Sequence, residues 1–363
     1  MIRSKNLFVE KEVGRRDFLK LSTKVATVLG LSPAFIPQFS HALEKKDKPA
    51  VIWLHFQECT GCTESLLRAE GPDLAAVILD VISLEYHETL FAAAGHQIED
   101  QLHAAMERYK GNYVLVVEGA IPTKADGHYC MIGGKTALDS LKEVAKDCAA
   151  IIAIGSCASW GGIPSSGPNP TGAVGVGEII KDKPIVTIPG CPPSPYNFLS
   201  TVVHYLTFAK LPALDDLGRP KFAYGRLIHD QCERRAHFDA GRFAHEFGDE
   251  GHREGYCLYQ LGCKGPSTYG NCPEIGFNRE KTWPVNVGHP CFGCIESKVG
   301  FNKSIHELSE VPFAAPPQVY AKIEETGNTT PSLVAVGAVG AVVGVAATAV
   351  AMKAKKLPGS EEE

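Results

Sequence analysis

Eleven side chains in this sequence have the types and spacing of ligands for a soft metal. Seven fall within residues 229–294: His229, Cys232, Cys257, Cys263, Cys272, Cys291 and Cys294. They lie among Gly and Pro with little periodic pattern between them. Such a stretch is expected to bury little apolar surface, so metal ligation is the force expected to hold it. Four more cysteines, Cys59, Cys62, Cys157 and Cys191, lie in the first half. Spacing divides the seven. His229, Cys232, Cys257 and Cys263 make a complete four-ligand set. Cys272, Cys291 and Cys294 make a set of only three thiols. His289 stands beside the second set, but a hydrogen-bonding loop histidine is the better reading of it. Three thiolates suit structural zinc poorly, since zinc takes four protein ligands. They suit a cuboidal iron–sulfur cluster lacking one iron. The four-ligand sets are open to zinc or to an iron–sulfur cluster. A lone C-x-x-C such as Cys59 to Cys62 also fits a thioredoxin-like redox pair.

No substrate chemistry accompanies these ligands. There is no paired general base, no nucleophile triad and no phosphate loop; the Gly-rich run 172–177 lacks the Lys-Ser/Thr of a P-loop and reads as a turn. If all three sets hold clusters, the chain is an electron wire. Cys130 and Cys148 fit no set and read as small buried hydrophobes. His87, His96 and His103 fall in polar stretches read as helical.

The elements that must position the ligands follow a βα pattern over residues 50–210. Apolar runs at 51–56, 113–117, 149–154 and 185–188 read as buried strands, and 62–68, 97–109, 134–146 and 196–208 as helices. Alternation of this kind predicts a parallel sheet covered on both faces, with ligands at the carboxyl ends of the strands. Three strand ends carry the four first-half thiols. From residue 222 on, periodicity fades, with 234–247 as a polar stretch of helical character.

The 363 residues are 44 % hydrophobic, enough for a folded body. Net charge is −5, and residues 1–42 carry seven Lys or Arg against three Asp or Glu, so 29 against 38 remain. An acidic body argues against a nucleic-acid partner. Residues 1–42 read as a targeting segment: Arg15-Arg16-Asp17-Phe18-Leu19-Lys20, an apolar run broken by Pro33 and Pro37, then Ser40-His41-Ala42 as a cleavage site after Ala42. The paired arginines resemble a twin-arginine signal. Export of an already folded chain reconciles an oxidising compartment with reduced, metal-bound cysteines. At the other end, 333–352 is twenty uncharged residues, about the length that spans a bilayer. Lys353, Lys355 and Lys356 follow it, which places the tail 353–363 in the cytoplasm and the body outside.

Together these motifs resemble one family, the small subunit of membrane-bound, respiratory [NiFe] hydrogenases. The resemblance runs through Glu58-Cys59-Thr60-Gly61-Cys62-Thr63-Glu64, Gly155-Ser156-Cys157 and Pro189-Gly190-Cys191-Pro192-Pro193. It continues through His229-Asp230-Gln231-Cys232, Gly262-Cys263-Lys264-Gly265-Pro266, Asn271-Cys272-Pro273 and His289-Pro290-Cys291-Phe292-Gly293-Cys294. It implies a flavodoxin-like doubly wound α/β domain at 43–220 with a proximal [4Fe-4S] cluster on Cys59, Cys62, Cys157 and Cys191. It implies a largely irregular iron–sulfur domain at 221–325 and a transmembrane helix at 333–352. In that second domain a distal [4Fe-4S] cluster falls on His229, Cys232, Cys257 and Cys263, and a medial [3Fe-4S] cluster on Cys272, Cys291 and Cys294. Pro284 then takes the place of a fourth medial ligand. The Ni-Fe centre belongs to a large subunit, so this chain carries no catalytic residue of its own. Electrons from H2 are expected to run proximal, medial, distal, then to a membrane cytochrome b or other quinone-linked subunit. The Tat translocon is the implied export partner, the inner membrane with its body on the periplasmic side is the implied location, and a dimer of heterodimers stays open. Oxygen-tolerant members carry two extra cysteines near the proximal cluster; these fall at Gly61 and Gly162 here, which implies an ordinary four-cysteine cluster and an oxygen-sensitive enzyme. Two alternatives remain: the proximal-cluster subunit of complexes related to respiratory complex I, which shares only the first half, and a secreted protein stapled by disulfides or zinc.

Overall fold

The computed structural model describes residues 15–43, 48–69, 81–277 and 281–311. Five strands form the central sheet: β1 (Ala50–His55), β2 (Ser83–His87), β3 (Val114–Glu118), β4 (Ala150–Ile154) and β5 (Ile185–Ile188). Their spatial order is β2-β1-β3-β4-β5, and every pairing is parallel. The order reverses between β1 and β3, so the crevice at the carboxyl ends of those strands is where ligands collect. Four of the five strands match the apolar runs of the sequence within a residue or so. The missed one, β2, reads Ser-Leu-Glu-Tyr-His and runs along the sheet edge with three half-exposed residues. An edge strand with so much polar character gives no continuous apolar run to detect.

Side chains of β1 divide between two cores with the period of two that a strand requires. Val51 and Trp53 join Val116, Ile152, Ile154 and Val186 on one face. Ile52 and Leu54 join Leu115, Val117, Ile151 and Ala153 on the other. The second face is covered by α4 (His96–Arg108) through Ile98, Leu102 and Ala105, and by α5 (Ala137–Ala145) through Leu141 and Val144. Helix α5 starts three residues later than the sequence pattern implied, because Thr136 is its N-cap and accepts a hydrogen bond from Asp139 N at 3.1 Å. The first face is covered by α7 (Pro195–Phe208), with Phe198, Leu199 and Val203 buried.

The arginine-pair segment is helical. Helix α1 (Arg15–Val28) and α2 (Ile36–Leu43) flank a single turn at Pro33–Phe35. Pro33 opens that turn, and Pro37 falls in the first turn of α2, where a missing N–H costs nothing. Val25, Ala26 and Phe39 are buried in the first core, and Phe35 and Phe39 pack edge-on against Phe208 of α7 at 6.1 and 5.9 Å. The remainder of the targeting segment and the uncharged stretch 333–352 lie outside the described residues. Among the described residues no helix is long and apolar enough to cross a membrane.

Beyond α7 the chain makes only single turns of helix among the described residues, as fading periodicity implied. The stretch 234–247 yields one short helix, Arg235–Asp239. One expectation needs correcting. Residues 229–294 do contribute to an apolar core: Ala244, Leu258, Leu261, Trp283 and Val285, with Ile295 just beyond, are buried in the cluster that covers the first face of the sheet. They are scattered in sequence because irregular backbone carries them inward one at a time. Polar links join the halves as well. Asn197 of α7 and Asn271 exchange side-chain amide hydrogen bonds at 3.2 and 2.9 Å. The buried Arg219 reaches Asp215 at 2.7 Å and Glu296 at 2.8 Å.

Candidate metal centres

The carboxyl ends of β1, β4 and β5 bring the first four thiols together. Cys59 and Cys62 flank the start of α3 (Gly61–Leu67), Cys157 lies in α6 (Gly155–Trp160), and Cys191 follows β5. Burial pushes the Cys62 thiol far above its ordinary pKa, and Glu118, Cys157, Cys191 and Cys59 add to the effect. Burial likewise pushes Cys157 up to about 11 and Cys191 up to about 12. All twelve cysteines are unpaired thiols. Crowded thiols that resist ionisation alone are deprotonated outright once a cation or cluster supplies positive charge. The backbone is shaped around the sulfurs. Gly155 has φ +81°, and a Cβ there would overlap Cys62 Sγ. A Cβ at Gly61 would sit 3.0 Å from Cys59 Sγ, and one at Gly162 2.7 Å from Cys157 Sγ. The two positions where oxygen-tolerant relatives are expected to carry cysteine therefore do border this set.

Between β1 and β4 stands β3, and its last residue, Glu118, is the functional residue that sequence reasoning missed. It is 1 % exposed. Its carboxylate accepts from Cys62 N at 2.9 Å, Thr63 N at 3.1 Å, Thr63 Oγ1 at 2.6 Å and Trp53 Nε1 at 3.3 Å. The first-turn N–H groups of α3 have no partner within their own helix, and Glu118 supplies one from another strand. The signal in sequence was a single acid closing the apolar run Val114-Leu115-Val116-Val117. His55 and Glu58 lie beside it, with His55 Nδ1 at 3.3 Å from Glu58 and 3.9 Å from Glu118. These three could bracket a cation. Both Glu118 oxygens are already taken by N–H and O–H donors, so a hydrogen-bonded network describes them better. Burial works against a charge on His55, but Glu58, Glu118 and Glu88 outweigh it and raise its pKa. His87 corrects another expectation. It is no helical surface histidine but the 1 % exposed end of β2, its Nε2 at 3.4 Å from His55 Nε2, and burial with the neighbouring His55 lowers its pKa to about 3. His96 and His103 do lie on α4.

His229, Cys232, Cys257 and Cys263 line one pocket with Phe238, Leu258, Trp283 and Val285. His229 Nε2 is buried and has no hydrogen-bond partner. An orphaned ring nitrogen of this kind calls for an explanation, and a metal ligand is one. Burial, with Arg235 adding and Asp230 and Asp239 opposing, lowers the His229 pKa, so the ring is held in the neutral form that ligates. Burial pushes Cys232 up to about 12 and Cys257 up to about 11, and raises Cys263. One imidazole, three thiols and an apolar wall fit an iron–sulfur cluster as well as zinc.

Cys291 is buried and Cys272 and Cys294 are half-buried, and desolvation raises all three thiols. This set touches both others. Cys294 O accepts from Ser156 Oγ, and Cys191 and Cys294 lie within electrostatic reach. On the other side the Cys291 N–H points at Cys263 Sγ at 3.4 Å. Three thiols without a fourth protein ligand fit a cluster short of one iron and do not complete structural zinc. His289 makes the contacts of a loop histidine. Its Nδ1 lies 2.8 Å from Pro290 O, and its ring stacks on Phe247.

Cys148 is buried, with Sγ on Ala145 O at 3.2 Å, and Cys130 packs against the second core. Replacing Cys130 by serine should therefore leave the iron content unchanged. Metal analysis checks this, and a loss of iron would overturn the division between ligands and bystanders.

Comparison with known sequences and structures divides the chain as its ligands do. Residues 59–205 match the family described as NADH ubiquinone oxidoreductase, 20 Kd subunit, and residues 224–307 match the C-terminal family of the NiFe/NiFeSe hydrogenase small subunit. The second match separates the chain from proteins that share the first half alone. The Hydrogenase-2 small chain of Escherichia coli (strain K12) is 53 % identical over 350 residues, 95 % of this chain and 93 % of that one. The Quinone-reactive Ni/Fe-hydrogenase small chain of Wolinella succinogenes is 50 % identical over 289 residues, 79 % of this chain and 81 % of that one. Among solved structures, the H2-activated [NiFeSe]-hydrogenase of Dm. baculatum superposes with a TM-score of 0.68 at 36 % identity, covering 73 % of this chain and 100 % of that chain. The chain is thus a member of the [NiFe] hydrogenase small-subunit family, the electron-transferring partner of the subunit that holds nickel.

Proposed function

We propose that this chain relays electrons in a membrane-bound uptake hydrogenase. Its flavodoxin-like first half holds a proximal [4Fe-4S] cluster on Cys59, Cys62, Cys157 and Cys191. Cys272, Cys291 and Cys294 hold a medial [3Fe-4S] cluster, and His229, Cys232, Cys257 and Cys263 a distal [4Fe-4S] cluster. One observation carries the reading: the three-thiol set, last in sequence, is the one in contact with both others, through Cys294 to Cys191 and Ser156 and through Cys291 to Cys263. Bound there, the clusters supply one-electron carriers whose potentials answer to hydrogen bonding and burial. The chain's own residues hold the sulfurs in place, keep water from them and set the charge around them. The exposed Cys59 marks the inward end, where a large subunit would cover it.

The quinone-reactive relative from Wolinella supports a quinone-linked partner such as a membrane cytochrome b. The paired arginines and the uncharged stretch 333–352 support export by the twin-arginine route and a periplasmic body anchored in the inner membrane. Replacing Arg15 and Arg16 together by lysine should strand the heterodimer in the cytoplasm; cell fractionation with unchanged export would defeat the targeting claim. The functional test is anaerobic purification from membranes. A nickel-containing large subunit should accompany the chain, and the preparation should reduce a quinone analogue with H2. Purified complex that fails to oxidise H2 would refute the reading.

A further inference from the structure

Lys264 belongs to no ligand set, yet it is 0 % exposed. Its backbone lies between two of the sets. It follows Cys263 directly, and its N–H donates to Cys291 O at 2.8 Å, while the Cys291 N–H turns to Cys263 Sγ. The far end of the side chain is caged by oxygen. Nζ donates to the carbonyls of Gly262 at 3.0 Å, Ser304 at 2.9 Å, Ile305 at 3.0 Å and Glu307 at 2.6 Å. An ammonium has three donors and no acceptor, so one N–H is shared between two of the four carbonyls; a neutral amine would turn its lone pair toward one of them. All four acceptors are uncharged. The Glu307 carboxylate is exposed to solvent and occupied by Ser304 N at 3.3 Å, so its compensation is screened. A buried positive charge therefore stands within electrostatic reach of Cys263 in the His-containing set and of Cys291 in the three-thiol set. At the strand-end set the adjoining buried charged residue is of opposite sign, Glu118.

We infer that Lys264 is a positioning residue for charge: its fixed ammonium raises the reduction potentials of the medial and distal groups relative to the proximal one. This rests on reading the three sets as iron–sulfur sites. Reduction adds negative charge to a cluster, and a nearby cation in a water-poor interior favours the reduced form. Glu118 does the reverse at the inward end. The pair of opposite charges tilts the relay outward, away from the strand-end site.

The test is a redox titration of the purified heterodimer followed by electron paramagnetic resonance, in the wild type and in Lys264→Met, Lys264→Gln and Lys264→Arg. The neutral variants should shift the medial and distal midpoints to more negative potential and leave the proximal midpoint in place. Lys264→Arg keeps the charge and should hold both near wild type. Unchanged midpoints in Met and Gln variants that retain their clusters would overturn the inference. So would an equal shift of all three midpoints, a shift in Lys264→Arg as large as in Lys264→Met, or loss of the [3Fe-4S] signal in all three variants, which would make Lys264 a structural clip. Absence of clusters from the wild type would instead refute the underlying assignment and leave no charge effect to measure.

Discussion

Replacing Cys294 by serine should cut H2-dependent reduction of the membrane acceptor by at least ~10-fold, a barrier increase of roughly 1.4 kcal/mol. Cys294 supplies one of only three thiols in its set, so no redundant ligand remains. Its backbone also carries the contact with Ser156, and its thiol lies within reach of Cys191. The substitution therefore strikes the junction between the inward and outward sets. Isotope exchange between H2 and water protons needs no electron to leave the complex, and it should persist. The two assays together distinguish a broken relay from an unfolded subunit. Loss of both would mean that Cys294 matters for assembly first; retention of both would remove the middle position assigned to it.

Glu118→Ala should be the most damaging single change outside the ligands. It leaves Cys62 N, Thr63 N, Thr63 Oγ1 and Trp53 Nε1 facing a cavity at the switch point of the sheet. Each buried donor left without a partner costs about 1–3 kcal/mol, so the total loss should be about 3 kcal/mol or more even after partial relaxation. Because two of those donors belong to the turn that presents Cys62, the damage should appear first in the strand-end thiol set. The temperature at which iron–sulfur absorbance is lost measures it. Glu118→Gln should fall between the two, since its amide keeps one acceptor oxygen but turns a donor toward other donors. A Glu118→Ala protein as heat-stable as the wild type would show that the carboxylate is not what fixes α3.

Legibility in the sequence followed the strength of local signals. Strands β1, β3, β4 and β5 are near-continuous apolar runs because both faces of a parallel sheet are covered, and such runs are hard to mistake. The thiols after three of those strands could be grouped from topology alone. Strand β2 could not be seen, because an edge position lets Ser83 and Glu85 sit half-exposed. His87 was misplaced for the same reason: its burial comes from packing on Trp53 and His55, contacts made across the sheet. Glu118 is one acid in an apolar run, and only the assembled sheet brings it to the first turn of α3. In the second half the ligand spacing was legible while the core was not, since Leu258, Trp283 and Ile295 reach the sheet face by irregular backbone with no period to read. That the last ligand set in sequence lies between the other two follows from tertiary contacts, which no spacing encodes.

The proposed relay rests on three clusters of two kinds. Electron paramagnetic resonance of the air-oxidised heterodimer, with iron and acid-labile sulfide measured on the same sample, tests that claim most directly. The expected result is the signal of one [3Fe-4S] cluster and about eleven irons per small subunit beyond the Ni-Fe centre, the sum for two [4Fe-4S] clusters and one [3Fe-4S] cluster. Zinc in any of the three sites, or an iron count that fits with no [3Fe-4S] signal, would contradict it.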